Sequence, residues 1–156
     1  MHLTNSKLVT QMISFCRHQS FLLFSLWVLL ASFSLSAQTQ IGADIDGEAA
    51  SDSSGRSVSM SSDGSRVAIG AYNNDGAGTN SGHVRIYQYN NNSWSQLGAD
   101  INGEASNDSS GISVSLSSDG SRVAIGASVN DGNGSDSGHV RIYQYNNNSW
   151  SQLGAD

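Results

Sequence analysis

Ser57-Val58-Ser59-Met60-Ser61-Ser62-Asp63-Gly64-Ser65-Arg66-Val67-Ala68-Ile69-Gly70-Ala71 is the stretch that decides the fold. Its first five residues alternate small polar and apolar side chains, the period of a half-buried strand. Asp63-Gly64 supplies a two-residue turn, since glycine tolerates positive φ. Arg66 to Ala71 is apolar on both faces, which predicts a central, buried strand. Downstream, a Gly/Asn-rich loop leads to His83-Val84-Arg85-Ile86-Tyr87-Gln88-Tyr89, again alternating and rich in β-formers. Asn90 to Ser93 then makes a turn, and Trp94 to Leu97 reads as a short last strand. No helical period occurs after residue 37.

The pattern is written twice. Gly42–Leu97 aligns without a gap with Gly98–Leu153 at a period of 56, and ten positions differ, leaving 46 identical. A third copy begins at Gly154 and runs to Asp156. Four antiparallel strands in a unit of this size make one propeller blade. The expected fold is therefore all-β, with four-stranded antiparallel β-propeller blades in two repeats of 56 residues. The expected organisation is a leader over 1–37, a first blade with a leading strand over 38–97, a second blade over 98–153, and the start of a third repeat at 154–156. Thr39 to Asp44 matches Ser95 to Asp100, so the repeats are entered on a fourth strand. Two blades do not close a ring that takes about four to eight. The chain is accordingly expected to be a fragment of a larger propeller, a pseudogene-like remnant or a protomer that assembles with others, and not a stable monomer alone.

Gly55-x-Ser57-Val58, Ser62-Asp63-Gly64-Ser65-Arg66-Val67-Ala68-Ile69-Gly70-Ala71 and Gly82-His83-Val84-Arg85-Ile86-Tyr87, with their equivalents from Gly111 to Tyr143, together resemble the FG-GAP repeat. FG-GAP repeats are the blades of the integrin α-chain propeller and of many secreted microbial proteins. The resemblance spans residues 40–156 and implies a propeller fold with an extracellular recognition or adhesion role and no catalysis. Many integrin-type blades carry a calcium loop of the form Asp-x-Asp-x-Asp-Gly-x-x-Asp. Here Ser61 to Ser65 stands in that place with one carboxylate, so those ligands do not carry over.

The first 37 residues differ in composition. Lys7, Arg17 and His18 precede the apolar run Phe21 to Leu35, which ends in Ser36-Ala37-Gln38. This is the make-up of a secretory signal, with cleavage expected after Ala37 and Met12 as an alternative start. An uncleaved anchor is the rival reading, but a spanning helix takes about 20 apolar residues. After cleavage, five arginines against 13 acidic residues leave a net charge of −8, and the only cysteine, Cys16, is gone. No disulfide, no nucleic acid and no membrane span are then expected. The expected location is secreted or at the cell surface, and acidity suits cations.

If successive turns alternate between the two ends of a blade, 11 of the 13 acidic residues fall at one end, with Asp63 and Asp119 opposite. There, Asp44-Ile45-Asp46-Gly47-Glu48 and Asp100-Ile101-Asn102-Gly103-Glu104 place oxygens at i, i+2 and i+4 around a glycine. Calcium takes six to eight oxygen ligands, and such loops supply three or four. Asp44, Asp46, Glu48, Asp100, Asn102 and Glu104 are thus the candidate metal residues, and calcium is the one cofactor the sequence suggests. The competing reading is a solvated polar turn. Asp131 to Asp136 is a partial cation loop whose counterpart lacks one ligand. His83 and His139 stand singly at strand starts and are expected to be surface or structural. Tyr87, Tyr89 and Trp94 are expected to pack between blades; a sugar-stacking platform is the alternative. No Gly-x-Ser-x-Gly elbow or other catalytic constellation is visible. Asn91, Asn107, Asn133 and Asn147 are glycosylation sequons.

The expected function is a secreted, non-enzymatic binding or adhesion module, calcium-dependent if the loops bind metal. Its partners would be an extracellular protein or glycan, further propeller blades or copies of itself. A structural repeat array without ligand is the second reading. A piece of a larger exported carbohydrate-active or hydrolytic protein is the third.

Overall fold

The computed structural model describes residues 38–155, so the leader lies outside the described residues. The described chain is all-β. The first blade holds β1 (Ser57–Met60), β2 (Arg66–Ala71), β3 (His83–Asn90), β4 (Ser93–Gln96) and a two-residue β5 (Ile101–Asn102). The second holds β6 (Ser113–Leu116), β7 (Arg122–Ala127), β8 (His139–Asn146) and β9 (Ser149–Gln152). Both sheets are antiparallel in sequence order, β1-β2-β3-β4 and β6-β7-β8-β9, and their registers repeat residue for residue 56 apart.

Three details depart from the sequence reading. The β1–β2 connection is a four-residue loop rather than a two-residue turn: Ser61 N donates to Arg66 O, enclosing Ser62 to Ser65. Asp63 holds that loop by accepting hydrogen bonds from Ser61 Oγ (2.7 Å), Ser65 N (3.0 Å) and Ser65 Oγ (2.9 Å). These bonds lower the Asp63 pKa from its ordinary value to about 2. The Asn91–Asn92 turn does have two residues, both at positive φ as a type I′ hairpin requires.

The second departure is β5. It pairs with the start of β3, His83 against Asn102 and Val84 against Ile101, on the edge that β4 occupies further along. The fourth strand thus resumes after an interruption at Leu97 to Asp100. Third, the leading segment from 38 forms no strand. Its homologue β4 is a strand because it pairs with β3, and residues 38–44 have no such neighbour.

The core lies between the blades, and the pleat explains its membership. Alternate residues of β2 and β3 point to opposite faces. One face of the first blade carries Ala68, Val84, Ile86 and Ile101; the facing side of the second carries Leu116, Val123, Ile125 and Tyr143, with Leu97, Val114 and Trp150 packed around them. That contact buries Val84 and Ile86; His83 and Arg85, on the opposite face of β3, are covered by the segment that carries Glu48, so the first half of β3 is buried on both faces although its sequence alternates. Polar bonds fix the alignment. Ser57 Oγ donates to Gly111 O (2.7 Å), Leu116 N to Ser59 Oγ (2.9 Å), and Arg66 Nη1 to Gly120 O (2.9 Å). The Arg66 guanidinium also lies over the Tyr145 ring. At Gly70 a side chain would run into the Gly111 carbonyl, so the close approach of the two sheets needs glycine there.

Candidate functional site

The loops between β2 and β3, and those leading into each blade, meet at one end of the sheets. Asn74 Nδ2 donates to Asp52 Oδ2 (2.8 Å), and in the second blade Asn130 Nδ2 donates to Asp108 Oδ2 (2.9 Å). Asp75 and Asp131 each accept a backbone N–H five residues on, at 2.7 Å. The partial cation loop at Asp131 to Asp136 therefore uses its first carboxylate to shape its own turn. Asp52 and Asp108 are buried pins of the same kind.

Above them lies a charged cluster. His83 and Arg85 are two apart on β3 and share a face, and both reach Glu48 in the segment before β1. His83 Nδ1 is 3.7 Å from Glu48 Oε2 and 3.8 Å from Asp100 Oδ2; Arg85 Nη1 is 3.5 Å from Glu48 Oε1. The second blade repeats the arrangement with His139 and Arg141 beside Glu104, at 3.8 and 3.4 Å. His83 is almost wholly buried. That burial pulls its pKa below the ordinary imidazole value, against the smaller opposing pull of Asp100. One ligand atom each from Glu48, His83 and Asp100 lie within 4.8 Å of one another, a spacing compatible with a cation.

The six sequence-derived metal candidates are placed as follows. Glu48 and Asp100 come together around His83, as just described. Asp100 also accepts a hydrogen bond from Gln96 (2.6 Å), as Asp44 does from Gln40 (2.7 Å). Asp44 and Asp46 line a depression of about 190 Å³ with Tyr87, Ser93 and Trp94. Asn102 lies in β5, and its backbone carbonyl accepts from Arg141 Nη2 (2.9 Å). Glu104 faces His139 and Arg141. For calcium the fit is uneven. Asp44 and Asp100 offer oxygens beside the neutral amides of Gln40 and Gln96, whereas both glutamates already face the chain's own cations.

Sequence reasoning missed Arg85 and Arg141 as partners of these glutamates. A signal was present in the His-x-Arg spacing, since a strand puts i and i+2 on one face. What the sequence does not announce is that a glutamate 35 residues earlier folds onto that face. The aromatic residues behave differently in the two blades. Tyr143 and Trp150 pack between the blades, and Trp150 Nε1 donates to Leu97 O (2.7 Å). Tyr87 and Trp94 occupy the same places on the outer face of the first blade, where Trp94 Nε1 donates to Ile41 O (3.0 Å). Among the described residues no helix is long and apolar enough to cross a membrane.

A family model described as FG-GAP repeat matches residues 39–87 and again residues 102–143. No curated protein matches the chain.

Proposed function

The chain belongs to the FG-GAP repeat family, and from that premise we propose that it is a non-enzymatic binding or adhesion module of an exported protein, which presents the acidic loop end of its blades to an extracellular partner. The observation that carries this reading is the gathering of Glu48, Asp52, Asp75 and Asp100, and of Glu104, Asp108 and Asp131 in the second blade, at the end where the loops meet. Loops on a rigid sheet scaffold are where binding residues concentrate. A surface of one charge sign concentrates cations and steers basic partners. Carboxylates of this end already have partners within the chain, Glu48 in Arg85 and Asp52 in the Asn74 amide, which suits recognition rather than turnover.

In this proposal calcium binds at the two loops separately, through Asp44 and Asp46 at one and through Asp100 with Asn102 at the other, and Glu48 and Glu104 join only by leaving their arginines. Thermal melts with and without millimolar calcium test it. A ligand at a hundredfold excess over its Kd adds about 2.7 kcal/mol to the native state, which raises Tm by several degrees. The paired substitution Asp44→Asn and Asp100→Asn should remove that rise. A wild-type Tm indifferent to calcium would leave the acidic end as a surface for basic partners alone.

A further inference from the structure

We infer that this chain docks head to tail with a second copy of itself, the outer face of one copy's second blade covering the outer face of the other copy's first blade. The contact between the two blades within one chain serves as a template. Val84, Ile86, Leu97, Val114 and Leu116, which make that contact, each recur 56 residues away on an outer face. Val84 and Ile86, fully buried in the inner contact, correspond to Val140 and Ile142, which are 66% and 45% exposed. Leu97 corresponds to Leu153, also exposed. On the other outer face Val58 and Met60, 61% and 55% exposed, stand where Val114 and Leu116 pack inside. Of these positions only Met60 differs from its partner, and Met for Leu is a volume-conserving exchange.

The polar groups have counterparts as well. Ser113 and Ser115 stand for Ser57 and Ser59, the Gly55 carbonyl for that of Gly111, and Gly64 for Gly120. Arg122 is exposed where Arg66 reaches Gly120 O and lies over Tyr145; Tyr89 awaits it on the other face. That face also shows what it accepts. Trp94 holds Ile41-Gly42-Ala43-Asp44 as Trp150 holds Leu97-Gly98-Ala99-Asp100. The second blade is followed by the same tetrapeptide, Leu153 to Asp156. A docking neighbour exchanges its tetrapeptide for residues 41–44, which are mostly exposed and hold Trp94 by one hydrogen bond. The two faces differ from each other, so the contact is heterologous and propagates into a ring or an open array. A ring of about four to eight blades takes roughly two to four copies.

Sedimentation of the full chain tests this, using Val58→Asp to block one face and Val140→Asp to block the other. Wild type should associate, each variant alone should be a monomer, and an equimolar mixture should give a 1:1 dimer of twice the monomer mass, because each variant keeps the face the other lacks. Circular dichroism checks that each variant is folded; Val58→Thr and Val140→Thr replace any Asp variant that is not. A monomeric wild type overturns the inference. So does a mixture that stays monomeric, or association that survives in either variant, as face-to-like-face pairing or clustering through the leader would.

Discussion

Ile86→Ala and Ile142→Ala are the same substitution at the same position of two nearly identical blades, and their costs should differ severalfold. Ile86 is wholly buried in the core between the blades, whereas Ile142 is 45% exposed on an outer face. Removing a buried Ile side chain to Ala forfeits its transfer free energy and leaves a cavity, about 2–5 kcal/mol together. At Ile142 roughly half the side chain is already in water and no closed cavity forms, so about 1 kcal/mol or less is expected from the transfer term of 1.5–3 kcal/mol for full burial. For a unit of this size each kcal/mol moves Tm by roughly 4 °C. Ile86→Ala should thus lower Tm by about 8 °C or more, and Ile142→Ala by about 4 °C at most. Urea denaturation reads the same difference as a shift in midpoint at unchanged slope. The measurement belongs at protein concentrations where the chain is monomeric, since docking would cover Ile142. Equal losses at both positions in the monomer would refute the face-to-face packing from which the core is derived.

Other outcomes follow from the same contacts. Because burial holds the folded-state pKa of His83 below its ordinary value, the unfolded chain binds the extra proton first. Stability should be fully present above about pH 6.5 and fall as pH drops from there towards the depressed pKa. Urea melts between pH 8 and pH 5 should show a fall that His83→Gln flattens, and an unchanged profile in that variant would count against a buried neutral imidazole. Gly70→Ala should cost about 1–3 kcal/mol as an overpacking change. There the new methyl meets the backbone of the other blade, whereas at Gly126 it meets the hydroxyl of Ser113, which has room to rotate. Gly126→Ala should therefore cost less, and urea melts of the pair decide it.

The four main strands of each blade were legible because each carries a local pattern, whereas the two-residue β5 carries none. Ser57 to Met60 alternates, Val67 to Ala71 is apolar throughout, and the asparagines of the Asn90 to Ser93 turn tolerate positive φ. The core was legible only as a list of apolar residues. Which of two identical isoleucines is buried depends on whether a sheet lies beyond it, and that is a property of position in the array. The four-residue loop escaped because Asp63-Gly64 is a strong two-residue signal; the serine hydroxyls that draw the Asp63 carboxylate into a longer turn act three-dimensionally. The acidic end was legible from the alternation of turns. The partners of Glu48 were not, since His83 and Arg85 reach it across a separation of 35 residues or more.

The four-residue loop at Ser62 to Ser65 has a consequence for how the chain finds its fold. Arg66–Ala71 and Arg122–Ala127 are the same six residues, so β1 has two chemically identical strands to pair with. Pairing with the wrong one satisfies every local preference, and the contacts themselves hardly discriminate against it. Chain entropy does. The correct partner closes a loop of four residues, the wrong one a loop a whole period longer, about 60. Loop closure scales as (3/2)RT ln n, which favours the short loop by about 2.4 kcal/mol, some sixtyfold in population. A tandem duplication with so few differences is thus kept from crossed pairing by the shortness of its turns. Lengthening Ser62 to Ser65 with flexible residues would be expected to increase strand exchange during refolding well before it changed the stability of the correctly folded chain.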